Sequence, residues 1–200
     1  MLALILAGGS GNRLSLGEKP LVTILGKPMI EYVTHAFFSA GCEVVVVLSR
    51  KTPYTHNWCR VMGIDHVTAS GNGYVDDIVE AVTTLDEMCP LFTCVSDLPC
   101  LNGTIISHIR DLYVQSGKDA ESTWVPASMV REAGCTVHFS EKIDGTDACP
   151  AGINILNGEK ITDEQDEIRI LLPSGRLAFN VNTREELRRV QDYMKSALPL

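Results

Sequence analysis

A glycine-rich turn directly after an N-terminal apolar run constrains this chain more than any other feature. Met1–Leu6 is wholly apolar, which predicts a buried strand, and glycines follow at positions 8, 9 and 11. Glycines let the backbone turn tightly and bring successive N–H groups close to a ligand without obstruction by Cβ atoms. Such N–H groups form a concavity that suits phosphate oxygens, so the turn predicts a polyphosphate site.

Two cations follow the turn, and they fit the same interpretation. Arg13 offers a planar fork for phosphate and Lys19 a mobile point charge. A P-loop is excluded because no Gly-Lys-Ser/Thr tripeptide follows the glycines, and a dinucleotide fingerprint is excluded because Leu14 stands where its third glycine belongs. The alternative is a mobile turn with two surface cations.

Length and composition suit one α/β domain spanning residues 1–200. No apolar run is long enough to span a membrane, so we expect a cytoplasmic protein. The net charge of −8 argues against nucleic-acid binding. It divides into +3 for the residues through Arg60 and −11 for the rest, so an anionic ligand is expected to bind the first part. The seven cysteines are odd in number and form no Cys-x-x-Cys pair, so we expect reduced, mostly buried thiols rather than disulfides or zinc ligands.

Short apolar runs alternate with helical periodicities along the chain. The predicted strands are 1–6, 44–48, 64–68, 91–95, 121–126, 135–139, 150–156 and 178–183, and the predicted helices are 28–40, 54–62, 75–85, 102–115 and one from about 183. Residues 144–149 read as a polar loop and 162–167 as an acidic one. Strand–helix alternation indicates a three-layer fold with a mixed, mostly parallel sheet and an antiparallel excursion in its second half.

Ligands of such sheets bind at the carboxyl ends of the strands. Gly71 and Gly73 belong to a second glycine cluster at that edge, for which a plain turn is the alternative. Asp97 directly follows a buried strand and is a hard oxygen ligand for a metal, or else a cap for the next helix, although Asn102 already suits that role. Gly152 near the start of a strand marks a bulge or a close backbone approach.

These residues also carry a resemblance to a known family. Leu-Ala-Gly-Gly-x-Gly-x-Arg-Leu followed by Lys19-Pro20-Leu21 resembles the signature of nucleotidyltransferases, with Asn12 where the family usually has Thr or Ser. Pro-Ala-Gly-Ile-Asn at 150–154 and Phe-Asn-Val-Asn-Thr at 179–183 resemble the archaeal adenosylcobinamide-phosphate guanylyltransferases. The molybdenum cofactor guanylyltransferases share the loop and the Asn-x-Asn-Thr ending, and they are the nearest rival.

The resemblance implies a Rossmann-like nucleotidyltransferase fold and the transfer of GMP from GTP to adenosylcobinamide phosphate, with release of pyrophosphate. Arg13, Lys19 and Asp97 would be catalytic, and Asp97 would hold Mg²⁺ with help from Asn180. The implied nucleotide-binding residues are Leu6, Ala7, Gly8, Gly9, Ser10, Gly11, Gly71, Gly73, Gly152 and Asn180.

The last motif allows two roles for its second asparagine. Asn182 can cap the last helix or touch the ligand, and Thr183 with Glu186 forms a capping box. The sequence does not reveal how guanine is chosen, where the corrin binds, or whether the protein is a homodimer. A non-catalytic nucleotide sensor on the same fold and a sugar-phosphate nucleotidyltransferase are the remaining alternatives.

Overall fold

One mixed β-sheet with helices on both faces organises the protein, and the computed structural model describes residues 1–9, 14 and 16–197. The strands are β1 (Leu2–Leu6), β2 (Thr23–Ile24), β3 (Lys27–Pro28), β4 (Glu43–Ser49), β5 (Asp65–Ala69), β6 (Pro90–Val95), β7 (Ala120–Pro126), β8 (Glu141–Ile143), β9 (Thr146–Asn157) and β10 (Glu167–Leu171). The helices are α1 (Met29–Ser39), α2 (Pro53–Met62), α3 (Tyr74–Leu85), α4 (Gly103–Ser116), α5 (Ala127–Glu132) and α6 (Arg184–Ala197). Short 3₁₀ turns lie at Lys19–Leu21, Gly158–Lys160 and Gly175–Ala178.

The main sheet has the strand order β10-β7-β9-β6-β1-β4-β5, with β8 paired to β9. β1 pairs in parallel with both β4 and β6, and β4 pairs in parallel with β5. β9 runs antiparallel to β6, β7 and β8. The prediction of a mixed, mostly parallel sheet with an antiparallel excursion in the second half is therefore confirmed.

The central strands are apolar on both faces because helices cover both. Ala3 and Ile5 of β1 belong to the larger core under α1 and α4, whereas Leu4 belongs to a smaller core under α3. The four valines of β4 alternate between these two cores in the same way. This burial produces the three-layer arrangement that the sequence predicts.

Two predicted strands are wrong. Residues 135–139 are irregular, because the Cys135 N–H donates to the Val130 carbonyl at the end of α5 instead of to a neighbouring strand. Residues 178–183 are also not a strand. The Val181 N–H donates to the Asp97 carbonyl, and the N–H groups of the next two residues donate to the Glu186 carboxylate.

Other differences from the sequence prediction are local. Residues 144–149 do not form only a loop, because β9 begins at Thr146 and pairs with β8. The sequence prediction also lacks α5, β8 and β10, which are short elements without a clear periodicity.

The capping box at the start of α6 is confirmed, with the Glu186 N–H donating to Thr183 Oγ1 at 3.2 Å and the Thr183 N–H donating to Glu186 Oε2 at 2.9 Å. All seven cysteines are free, and only Cys89 is exposed, as expected for structural thiols. Within the described ranges, no helix combines the length and apolar character that crossing a bilayer requires.

Candidate active site

A cleft of about 530 Å³ opens at the carboxyl edge of the sheet. Because β1, β4, β5 and β6 are parallel, the segments that follow them meet at this edge. The lining residues are Leu6, Gly8, Gly9, Lys19, Lys51, Gly71, Gly73, Tyr74, Asp77, Val95, Ser96, Asp97 and Asn182. The size lies in the range of small-molecule sites in proteins.

Three polar side chains meet at the β6 end of the cleft. Lys19 Nζ forms an ion pair with Asp97 Oδ2 and donates to Asn182 Oδ1 at 2.9 Å. The Asn182 amide nitrogen in turn donates to Asn180 Oδ1 at 2.7 Å. Asp97 Oδ1 is buried and has no hydrogen-bond partner among the described residues. Such an atom is costly to leave unpaired, which indicates that a ligand completes the cluster.

Glu18 holds Lys19 in place through the start of α2. Its carboxylate accepts from the Tyr54 and Thr55 N–H groups at 2.8 and 2.6 Å and from the Thr55 hydroxyl at 2.6 Å. These are free N–H groups of a helix N-terminus, where a carboxylate is favoured. Pro20 then fixes the backbone of the 3₁₀ turn that begins at Lys19.

Glu186 fixes the backbone on the opposite side of the cluster. Its nearly fully buried carboxylate accepts from the N–H groups of Asn182, Thr183 and Thr136 at 2.8, 2.9 and 3.1 Å. Burial alone would raise the pKa of Glu186, but these hydrogen bonds outweigh it and hold the pKa below its ordinary value. The Val181 N–H also donates to the Asp97 carbonyl at 3.0 Å, so Asp97 and Asn182 are joined through the backbone.

The β4–β5 end of the cleft has a different chemistry. Ser49 Oγ donates to the Gly8 carbonyl at 2.6 Å and ties the first glycine turn to β4. Lys51 Nζ donates to the Gly71 carbonyl at 2.8 Å, and the Gly71 N–H donates to Asp77 Oδ1 at 2.8 Å. Neither Lys51 nor Asp77 is among the residues predicted from the sequence, since each reads there as a surface charge.

The donor set at the β6 end suits a magnesium ion. Mg²⁺ prefers oxygen ligands and is usually held by one or two carboxylates together with waters and substrate phosphates. The unpaired Asp97 Oδ1 is an oxygen of that kind and would be free to bind the ion, and the amide oxygens of Asn180 and Asn182 lie in the same hydrogen-bonded cluster. Within the described residues no group of three His, Cys, Asp or Glu side chains could hold a metal, so this ion would depend on the substrate.

Most of the predicted site residues that the structure describes come together in the cleft. Those that line it are Leu6, Gly8, Gly9, Lys19, Gly71, Gly73 and Asp97. Ala7 is buried next to them, and its N–H donates to the Val47 carbonyl at 2.8 Å. Ser10, Gly11 and Arg13 lie outside the described residues, so their roles stay predictions.

Gly152 and Asn180 do not line the main cleft. Gly152 has φ +78°, and a Cβ there would lie 2.7 Å from Val95 Cγ2, so it permits close packing behind the cleft wall. The register of β9 against β7 shifts across this residue, as expected of a bulge. Asn180 lines a second cavity of about 140 Å³ that Asn182 separates from the main cleft. Asn182 is thus the asparagine in contact with Lys19.

Comparison with known proteins identifies the family of this chain. Residues 3–141 match the model of the MobA-like NTP transferase domain. The chain belongs to the MobA-like NTP transferase family. The match covers the glycine turn, Lys19, Lys51, Asp77 and Asp97, while Asn182 lies beyond it.

Two relatives match this MobA-like chain over nearly its whole length. The adenosylcobinamide-phosphate guanylyltransferase of Methanocaldococcus jannaschii is 29% identical over 98% of both chains. A protein of Peptoclostridium acidaminophilum named "Probable molybdenum cofactor guanylyltransferase" is 23% identical, over 98% of this chain and 91% of the other.

A solved structure shows the same fold. The structure of CMP:2-keto-3-deoxy-manno-octonic acid synthetase complexed with CTP has a TM-score of 0.69 and 16% identity, and the match covers 99% of each chain. At that identity the likeness concerns the fold alone. The family match makes this MobA-like chain a nucleotidyltransferase, and its fold agrees with that assignment.

Proposed function

We propose that this nucleotidyltransferase transfers GMP from GTP to the phosphate of adenosylcobinamide phosphate, giving adenosylcobinamide-GDP and pyrophosphate. The observation that carries the proposal is the end-to-end match, at 29% identity, to the Methanocaldococcus jannaschii enzyme that bears this name. The motifs at 150–154 and 179–183, outside the MobA-like domain match, support the same choice.

In the proposed reaction an oxygen of the acceptor phosphate attacks the α-phosphorus of GTP. The bond between that phosphorus and the bridging oxygen breaks, and pyrophosphate leaves with the electron pair. A phosphate monoester has a second pKa near 6, so the acceptor is already largely ionised at neutral pH and needs no strong general base. The work of the protein is then positioning and charge neutralisation.

The residues at the β6 end of the cleft suit that work. Lys19 offers a cation, held between Asp97 and Asn182, to the developing charge on pyrophosphate. The Gly8–Gly9 backbone follows β1 and lines the same cleft as Lys19. Its N–H groups can hold phosphates there. Arg13, by its place in the motif, would add a second cation. Mg²⁺ bound by Asp97 would supply further positive charge at the α-phosphate.

The experiment is pyrophosphate release by the full chain from GTP, ATP, CTP or UTP with Mg²⁺, with and without adenosylcobinamide phosphate. We expect release only from GTP and only when the corrinoid is present. Lys19→Ala should lower kcat by at least 100-fold, whereas Lys27→Ala, which removes an exposed lysine paired with Glu31, should not change it.

The other outcomes would reject the proposal in different ways. Turnover with the molybdenum cofactor instead of the corrinoid would assign the protein to the second relative's reaction. Binding of GTP without turnover on either acceptor would favour a nucleotide sensor.

A further inference from the structure

Asp77 and Lys51 form a polar pair at the end of the cleft that the proposed chemistry does not use. Both side chains line the cleft, and both contact the same residue, Gly71. Asp77 is only 9% exposed, and its Oδ2 accepts no hydrogen bond from any described residue. Oδ2 is not among the buried unpaired atoms, so it is accessible at the cleft and is free to accept a donor from a ligand.

The strand order sets the distance between the Asp77–Lys51 end of the cleft and the Lys19–Asp97 end. Asp97 follows β6, whereas Asp77 lies on α3 and accepts from Gly71 in the loop after β5. The ends of β6 and β5 are separated by β1 and β4. Three strand spacings correspond to about 14 Å. That separation is comparable with the length of an extended nucleoside triphosphate, so one ligand can reach both ends.

Charge decides which part of the nucleotide lies at each end. The glycine turn and Lys19 attract phosphates at the β1 and β6 strands. A carboxylate at the β5 end would repel phosphates but can accept hydrogen bonds from a base, and Lys51 leaves the pair with no net charge. The base therefore belongs beside Asp77 and Lys51.

Guanine suits this pair because it offers two adjacent donors to a carboxylate and an acceptor to a lysine, whereas adenine offers a carboxylate only one donor on that edge. It presents the O6 acceptor, then the N1–H donor, then the N2 amino donor along one edge. Adenine reverses the first two groups, with an N6 amino donor beside an N1 acceptor. We infer that Asp77 reads the N1–H and N2 amino groups of guanine while Lys51 donates to O6, making this pair the base-selecting part of the site.

The glycine between the two side chains makes their approach feasible. Gly71 has φ +74°, and a Cβ there would lie 3.1 Å from Ser49 Cβ and 3.5 Å from Lys51 Nζ. The Gly71 carbonyl accepts from Lys51 Nζ, and the Gly71 N–H donates to Asp77 Oδ1. The lysine donor and the carboxylate acceptor are therefore both held by the backbone of one residue. Glu80 anchors the same loop by accepting from the Ser70 N–H at 2.8 Å.

The inference rests on the proposed use of GTP, and its test needs no acceptor. Calorimetry would measure the binding of GTP, ITP, XTP and ATP to the full chain. ITP lacks the N2 amino group and XTP carries an oxygen in its place. We expect the wild-type protein to bind GTP about 10- to 100-fold more tightly than ITP, and XTP and ATP more weakly still.

Asp77→Asn is the decisive variant because the Asn oxygen can still accept from the Gly71 N–H. It replaces the free acceptor with an amino donor, which matches the C2 oxygen of xanthine and opposes the N2 amino group of guanine. We expect it to bind XTP more tightly than GTP, by at least 10-fold. Asp76→Asn, an exposed neighbour outside the cleft, should keep the wild-type order.

Two results would overturn the inference while leaving guanylyl transfer intact. One is equal affinity of the wild-type protein for GTP and ITP. The other is an Asp77→Asn protein that binds every nucleotide with the wild-type ratios, or with one uniform loss, since a residue that only holds the loop would behave in this way. Preference of the wild-type protein for ATP over GTP would overturn both the inference and the proposed function.

Discussion

Glu121→Gln is expected to stabilise the protein near neutral pH, because Glu121 places a carboxyl group inside the core. Glu121 lies on β7 and is 1% exposed. Thr123 Oγ1 donates to its Oε1 at 2.7 Å, and Oε2 has no partner among the described residues. Burial raises the pKa of Glu121 to about 8, although the hydrogen bond from Thr123 partly opposes the shift and the charge of Glu167 adds to it.

The size of the effect follows from proton linkage. The ordinary pKa of this carboxyl is 4.5, so between pH 4.5 and 8 the folded protein holds a proton that the unfolded chain has lost. The free energy of unfolding is highest below the unfolded pKa and falls as the pH rises towards the folded one, by about 1.36 kcal/mol per unit. From pH 5 to 8 the loss is about 3–4 kcal/mol, because the slope is smaller close to each pKa. Gln is neutral throughout, but one extra unpaired N–H costs about 1–2 kcal/mol, which leaves a net gain of about 1–2 kcal/mol at pH 7.

Urea unfolding of the wild type and the variant at several pH values between 5 and 8 measures this directly. The difference between the two proteins cancels the titration of every other group. Glu164→Gln, at an exposed position, is the control and should follow the wild type. Parallel curves for Glu121→Gln and the wild type would refute the reasoning, because they would mean that Glu121 is ionised in the folded protein.

Three further predictions concern the cleft and its supports. Asp97→Asn should lower kcat for pyrophosphate release by about 10³-fold with little change in the melting temperature, whereas the exposed Asp192→Asn should not; an active Asp97→Asn protein would remove Asp97 from the chemistry. Gly152→Ala should destabilise the protein by about 2–4 kcal/mol in urea unfolding, because its left-handed φ disfavours a Cβ that would also clash with Val95; a loss below about 0.5 kcal/mol would contradict this packing. Glu186→Gln should cost about 1–3 kcal/mol at pH 7, and the difference from the wild type should disappear in acid, because a lowered pKa gives stability that is lost as the pH falls through it; a cost that persists in acid would show that charge is not the cause.

The part of the site that follows regular strands could be predicted from the sequence. Leu6 ends an apolar run and Asp97 follows another, and parallel strands must bring their carboxyl ends to one edge. The position of Lys19 near that edge follows from the same turn. These predictions rest on periodicity and short-range geometry, which a sequence displays directly.

The remaining contacts depend on long-range packing that a sequence does not display. Cys135–Phe139 has strand-forming residues, yet its first N–H closes a helix end. Asn182 reads equally well as a helix cap, and only its contact with Lys19 from a distant segment reveals its place. Lys51 and Asp77 each look like solvated charges until Gly71 brings them together.

The contact between Lys19 and Asn182 has a consequence for the order in which the site is assembled. The two residues are 163 positions apart. During translation, every strand of the main sheet therefore leaves the ribosome before Asn182 does. A nascent chain with β1 to β6 already paired would hold Lys19 and Asp97 without their third partner. If the nucleotide binds at Lys19 as proposed, its affinity would report whether the segment before α6 has docked, and ligand binding would favour docking of that last segment by mass action.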